Sequence, residues 1–102
     1  MIQSIDEIHY TDPDGNPAGG STHSTGLDIT WQNGLVENQE PNGAFAETVI
    51  RAALGRLQYY NDGKFRCREN SLAITHLEEA IHWLKARQEA RETRAVANTH
   101  TT

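Results

Sequence analysis

Trp83, Arg87, Arg91 and Arg94 follow one another at steps of four, four and three residues. On a helix, residues so spaced stand above one another along one face. The result is an aromatic plate followed by three guanidinium forks. A guanidinium grips phosphate with two parallel hydrogen bonds and keeps its charge at any working pH. An aromatic ring in register with it can stack on a base. The stripe therefore suits capture of a small anion that carries a flat ring, such as a nucleotide. A plainer account runs beside this one. Arginines near a helix C-terminus complement the negative end of its dipole, and Glu89 and Glu92 stand close enough in sequence to pair with them. Trp83 would then be an ordinary core or interface anchor. Spacing alone does not choose, and solvated charged faces are the commoner case.

Tyr59, Tyr60 and Asn70 form a second group around a predicted turn. Tyr60 can stack, and Asn70 carries donor and acceptor on one amide, enough to bond a base or ribose edge. The plainer account is again available. Asparagine near a helix start usually caps or bonds backbone, and tyrosine at a helix end closes a core. In a single hairpin this group lies far from Arg91. It can join the stripe only across two chains packed head to tail, in a composite pocket at a symmetric interface.

The elements that position these residues are two predicted helices. Pro41, Asn42 and Gly43 break the chain ahead of the first, with Asn42 or Gly43 as N-cap and Glu47 at the positive end of the dipole. Helix one is expected over 44–60, with Phe45, Val49, Ala53, Leu57 and Tyr60 as its apolar stripe, widened by Ile50 and Leu54. Asn61, Asp62 and Gly63 stop it, with Gly63 able to take a left-handed conformation. Helix two is expected over 68–93, with Ile74, Leu77, Ile81 and Leu84 as a seam against helix one. At 1.5 Å per residue the two would be roughly 26 Å and 39 Å long, so the arginine end of helix two overhangs. The tail after Arg94 shows no apolar pattern and is expected to be loose.

Upstream, Ile5, Ile8 and Tyr10 make a weak strand pattern. Leu27, Ile29 and Trp31 alternate cleanly with Asp28, Thr30 and Gln32. The Gly-, Pro- and Ser-rich stretch between them reads as a long flexible connection. Asn33 and Gly34 can turn the chain, and LVENQ reads as one further short strand.

Composition narrows the function classes. The chain has 102 residues, 36% of them hydrophobic, and a net charge of -5. Its mean hydropathy is -0.68. One small domain with a lean core is expected, and burial of further surface in an oligomer follows from that leanness. An acidic chain lacks the basic surface that genomic DNA or RNA demands. Cys67, the one cysteine, permits neither an intrachain disulfide nor a cysteine-rich zinc site, and reads as a small buried thiol. His9, His23, His76, His82 and His100 fall into no zinc motif; Glu78 and His82, four apart, can share a helical face, whereas His76 and His82, six apart, do not. Neither a Walker loop, a GxSxG elbow nor a GxGxxG turn occurs. Binding without chemistry, and without metal or cofactor, is the expectation. MIQSIDEIHY has no basic-then-apolar signal pattern, and no apolar run reaches membrane-spanning length.

The run FRCRENSLAITHLEEAIHWLKARQEARETRAVANTH resembles the C-terminal hairpin of a phage family that contains the Thoeris anti-defence sponges and the related anti-CBASS sponges. The likeness extends back through NGAFAETVIRAALGRLQYYNDGKF and LDITWQNG. That last strand is more similar to the Thoeris branch than to the all-helical anti-CBASS branch. The resemblance implies sequestration, in the cytoplasm of the infected bacterial host, of a cyclic ADP-ribose signal (glyco-cyclic ADP-ribose) made by bacterial TIR enzymes. It implies no cleavage, and homodimers that assemble into hexamers. It also implies the alternative of cyclic di- or trinucleotide binding at separate sites made by higher assembly. On this resemblance Tyr60 and Trp83 would stack on adenine, Arg87 and Arg91 would clamp pyrophosphate, and Asn70 would bond ribose or base, with Arg94 continuing the stripe. Relatives commonly end in a pattern like RGVEGTH. This chain reads Arg94, Ala95, Val96, Ala97, Asn98, Thr99, His100, and losing both glycines changes the backbone accessible there. The remaining rivals are an assembly or adaptor protein whose hairpin binds only protein, and a nucleotide hydrolase, for which the sequence offers no good nucleophile or metal.

The expected fold is therefore α+β and homo-oligomeric. A small N-terminal antiparallel β element with its Gly-rich loop spans 1–40. A long antiparallel two-helix hairpin spans 41–95, and a flexible tail spans 96–102.

Overall fold

The structure, a computed structural model, describes residues 2–34 and 40–100, and of residues 95–100 the backbone alone. Three strands precede two helices, so the fold is α+β: β1 (Asp6–Thr11), β2 (Pro17–Ser24), β3 (Leu27–Asn33), α1 (Ala46–Asn61) and α2 (Arg68–His100). The chain divides into two compact units, Met1–Ala46 and Glu47–Thr102.

The first unit is an antiparallel sheet in the order β1-β2-β3. Its middle strand corrects the expectation of a long flexible connection. Part of the Gly-, Pro- and Ser-rich stretch is β2 itself, paired on both sides. Small polar residues carry no hydrophobic alternation, so composition hides this strand. Its glycines serve the backbone instead. Gly20 has φ +143, and a Cβ there would collide with the Ile8 carbonyl of β1. The turn into β2 is an Asx turn: the Asp12 carboxylate accepts from the Asp14 and Asn16 amides at 2.9 Å each.

Thr22 and Ile29 face each other across β2 and β3 and are the two buried residues of the described chain, 4% and 8% exposed. Trp31 donates its indole N–H to the Thr22 hydroxyl at 2.7 Å. Ile8 pairs with Ser21, one residue along from the Thr22–Ile29 pair, and so points to the opposite face of the sheet with Tyr10. Both are more than half exposed.

Asn42 is not a helix cap. Its side chain accepts from the Asn33 amide at 2.8 Å and donates to the Asn33 carbonyl at 2.9 Å. Ala44 then bridges Trp31 in parallel, bonding Thr30 and Gln32. The segment thus pairs along β3 before α1 opens at Ala46. The expected strand LVENQ lies outside the described residues.

The second unit is a helical hairpin. Asn61 at the end of α1 donates to the Ser71 hydroxyl at 3.0 Å and accepts from the Cys67 amide at 3.2 Å. Further along, Leu54, Gly55 and Gln58 share a hollow with Glu78 and Ile81. This pairing is antiparallel. Ile50, Leu54 and Leu57 on α1 and Ile74, Leu77, Ile81 and Leu84 on α2 are half-buried, the expected seam. Ala53, expected in the stripe, is exposed.

Three further expectations are corrected. Gly63 does not take a left-handed conformation; the turn closes through the Asp62 amide on the Gln58 carbonyl and the Gly63 amide on the Tyr60 carbonyl. Cys67 is exposed rather than buried, and its sulfur caps α2 by accepting from the Asn70 amide at 3.4 Å. Finally α2 runs past Thr93 to His100, so the backbone expected to be a loose tail is helical. Alanines 95 and 97 carry no helix penalty, which lets the helix continue.

Candidate functional site

The structure places the candidate residues in two groups, one at the hairpin tip and one along α2 from its middle onward. At the hairpin tip, Tyr60 lies 6.1 Å from Tyr59 and 6.2 Å from Phe65, ring centre to ring centre. The Phe65 contact is edge-on, the favoured arrangement of two quadrupoles. Tyr59, Tyr60, Asp62, Gly63, Lys64 and Phe65 line a hollow of ≈ 400 Å³. Phe65 and Tyr59 are 70% and 66% exposed, so the tip presents apolar rings to solvent.

Asn70 follows the plainer of its two accounts in part. Its amide group donates to the Phe65 carbonyl at 3.0 Å, tying the turn down beside Tyr60. That bond leaves the carboxamide oxygen without a donor among the described residues.

Sequence reasoning missed Arg56. Its Nε donates to the Tyr60 hydroxyl at 3.1 Å, and its guanidinium carbon lies 5.0 Å from the Tyr59 ring centre and 4.9 Å from that of Tyr60. The hydrogen bond to Tyr60, with the charge interaction that accompanies it, holds the Arg56 pKa above its ordinary value. The signal was present: Arg56 stands three and four residues before the two tyrosines, the helical contact spacing.

The second group is the stripe. Trp83 is 64% exposed, which rules out a core role within this hairpin. Its contact is edge-on with His82, 5.4 Å between ring centres. Arg87, Arg91 and Arg94 are exposed and lie along its face of α2. None of the three makes an ion pair among the described residues; the ion pairs found there all involve histidines. Glu92 instead accepts from Gln88 at 3.4 Å. Pairing with Glu89 or Glu92 is therefore not formed among the described residues, and three solvated forks project unneutralised from a chain of net charge -5.

The structure does not bring the two groups together within one chain. Asn70 and Arg91 belong to the same helix, separated by roughly 32 Å of helical rise. Among the described residues no cluster of His, Cys, Asp and Glu could hold a metal ion. No described helix is long and apolar enough to cross a membrane.

Residues 24–89 match the model of the family described as Acb2/Tad1, hairpin domain, and the chain belongs to that family. It is also 44% identical over 72 residues to "Thoeris anti-defense 1" of Bacillus phage SBSphiJ7. That alignment takes in 71% of this chain and 51% of the relative, so the chain spans about half the length of the curated relative it matches.

Proposed function

We propose that this protein binds and sequesters a cyclic ADP-ribose immune signal, glyco-cyclic ADP-ribose, made by bacterial TIR enzymes, and does not cleave it. Its action is anti-defence, in the cytoplasm of an infected host. The observation that carries this reading is the unpaired, exposed stripe of Trp83, Arg87, Arg91 and Arg94 in a chain of the Acb2/Tad1 hairpin family. The name of the phage relative supports it.

The chemistry follows from the side chains. Trp83 and Tyr60 offer ring faces for adenine. Arg87 and Arg91, one turn apart, clamp the pyrophosphate with paired hydrogen bonds. Arg94 extends that positive field, and the free carboxamide oxygen of Asn70 accepts from ribose or base. One chain holds the tip and the stripe too far apart for one small ligand. A homodimer packed head to tail, with further assembly to a hexamer, would place the tip of one copy beside the stripe of another. Sequestration then depends on a preformed pocket with slow release rather than on a reactive group.

The test is retention. The purified protein is incubated with the product of an activated TIR enzyme, filtered, and heat-denatured. Intact cyclic ADP-ribose recovered from the protein fraction supports the reading. An altered product makes the protein an enzyme, and no retained nucleotide rejects the reading. Parallel titration with cyclic di- and trinucleotides tests the alternative ligand class. An assembly adaptor would form oligomers and retain no nucleotide.

A further inference from the structure

Arg56 sits one turn before Tyr59 and Tyr60 on α1. Its guanidinium lies close to both phenol rings, and its Nε–H is committed to the Tyr60 hydroxyl. Phe65 in the turn also meets Tyr60 edge-on, and Phe65 is itself tied through its carbonyl to Asn70. The Tyr60 ring is thus contacted both from α1, through Arg56, and from the turn, through Phe65. A free tyrosine at a helix end must give up torsional freedom when a base stacks on it. A ring already fixed in its plane loses less, and that difference appears as affinity.

We propose that Arg56 is a positioning residue of the ligand site, acting through Tyr60 by fixing the plane of its ring before the ligand arrives. The inference rests on the proposed reading of Tyr60 as a stacking residue. It adds a residue that needs no ligand contact of its own. Arg56 is exposed, so replacing it leaves no buried hole.

The experiment is a double-mutant cycle. Glyco-cyclic ADP-ribose is titrated calorimetrically into the wild-type chain, Arg56→Met, Tyr60→Phe and the double variant, with thermal melts alongside. Phenylalanine keeps the ring for stacking and removes only the oxygen that Arg56 holds. The expected result is a loss of about three- to tenfold in each single variant, with the double variant no weaker than the worse single. Melting temperatures should agree across the four proteins. Additive losses, or wild-type affinity in Arg56→Met or in Tyr60→Phe, overturn the positioning role while leaving the proposed function intact. A wild-type chain that binds no cyclic ADP-ribose removes the proposed function and this inference together.

Discussion

Truncating Arg87 or Arg91 to alanine separates a binding role from a structural one. Both side chains are exposed, and neither is engaged in an ion pair among the described residues. Deleting either therefore strands no partner, and the expected change in stability stays within about 0.5 kcal/mol. The binding cost is of another order. A hydrogen bond to a charged group contributes about 1.5–3 kcal/mol, which is about 10- to 150-fold in affinity. The two residues stand one turn apart, so their effects should couple, and the double variant should lose less than the sum. Arg→Lys at either position keeps the charge and discards the fork; a partial loss there reports bidentate geometry rather than net charge. Calorimetric titration with glyco-cyclic ADP-ribose reads the affinity, and a thermal melt reads the fold. Unchanged affinity in both alanine variants would refute the stripe as the anion clamp. A melt that falls in step with the affinity would show the arginines to be structural.

Binding should also weaken as salt rises, because the screening length falls from about 10 Å at 0.1 M to about 3 Å at 1 M; an affinity that is flat across that range contradicts a guanidinium clamp. Thr22→Val should destabilise the sheet by about 1–3 kcal/mol, since it leaves the half-buried Trp31 indole N–H without its acceptor. A urea melt at wild-type midpoint would sink that assignment. Gly20→Ala should cost more than Gly26→Ala. Both positions have positive φ, a strain of order 1–3 kcal/mol, but only at Gly20 does the new Cβ also strike the neighbouring strand, whereas Gly26 opens on empty space. Equal melting losses would refute the role given to β1–β2 contact.

The helices were legible because their apolar residues recur at three and four. Ile74, Leu77, Ile81 and Leu84 sit on the inner face as that period requires. Leu27, Ile29 and Trp31 likewise revealed β3 through their alternation. β2 was illegible for a physical reason. Its stability comes from backbone pairing on both edges, and Gly20 accommodates the close approach of β1 where the β1–β2 register shifts. Asn42 misled because an asparagine that caps a helix and one that pairs with a strand end have the same sequence signature; only the partner differs. The stripe was legible as a spacing but not as a site. Its freedom from Glu89 and Glu92 is a fact of side-chain geometry. Arg56 was overlooked because its partners are aromatic rings and a hydroxyl, which no charge pattern flags.

The register of the hairpin gives the unpaired stripe a physical cause. Asn61 faces Ser71, and Leu54 shares a hollow with Ile81. Continuing that antiparallel register, the start of α1 is reached near Arg87. Helix α1 has 16 residues and α2 has 33, so their lengths are roughly 24 Å and 50 Å. The half of α2 carrying Arg87, Arg91 and Arg94 thus extends past the end of α1, the other helix among the described residues. Polar helices without a packed face are marginal in water, and this half has the weak apolar pattern of such a helix. Extending a helix beyond its support brings no stability to the hairpin. It does present three cations beyond that partner, with the exposed Trp83 one turn back on the paired stretch, where they do not sink into a core. An unsupported helix end gains stability where a second surface packs on it, so the overhang suits the proposed composite pocket, which a second chain and an anion would complete.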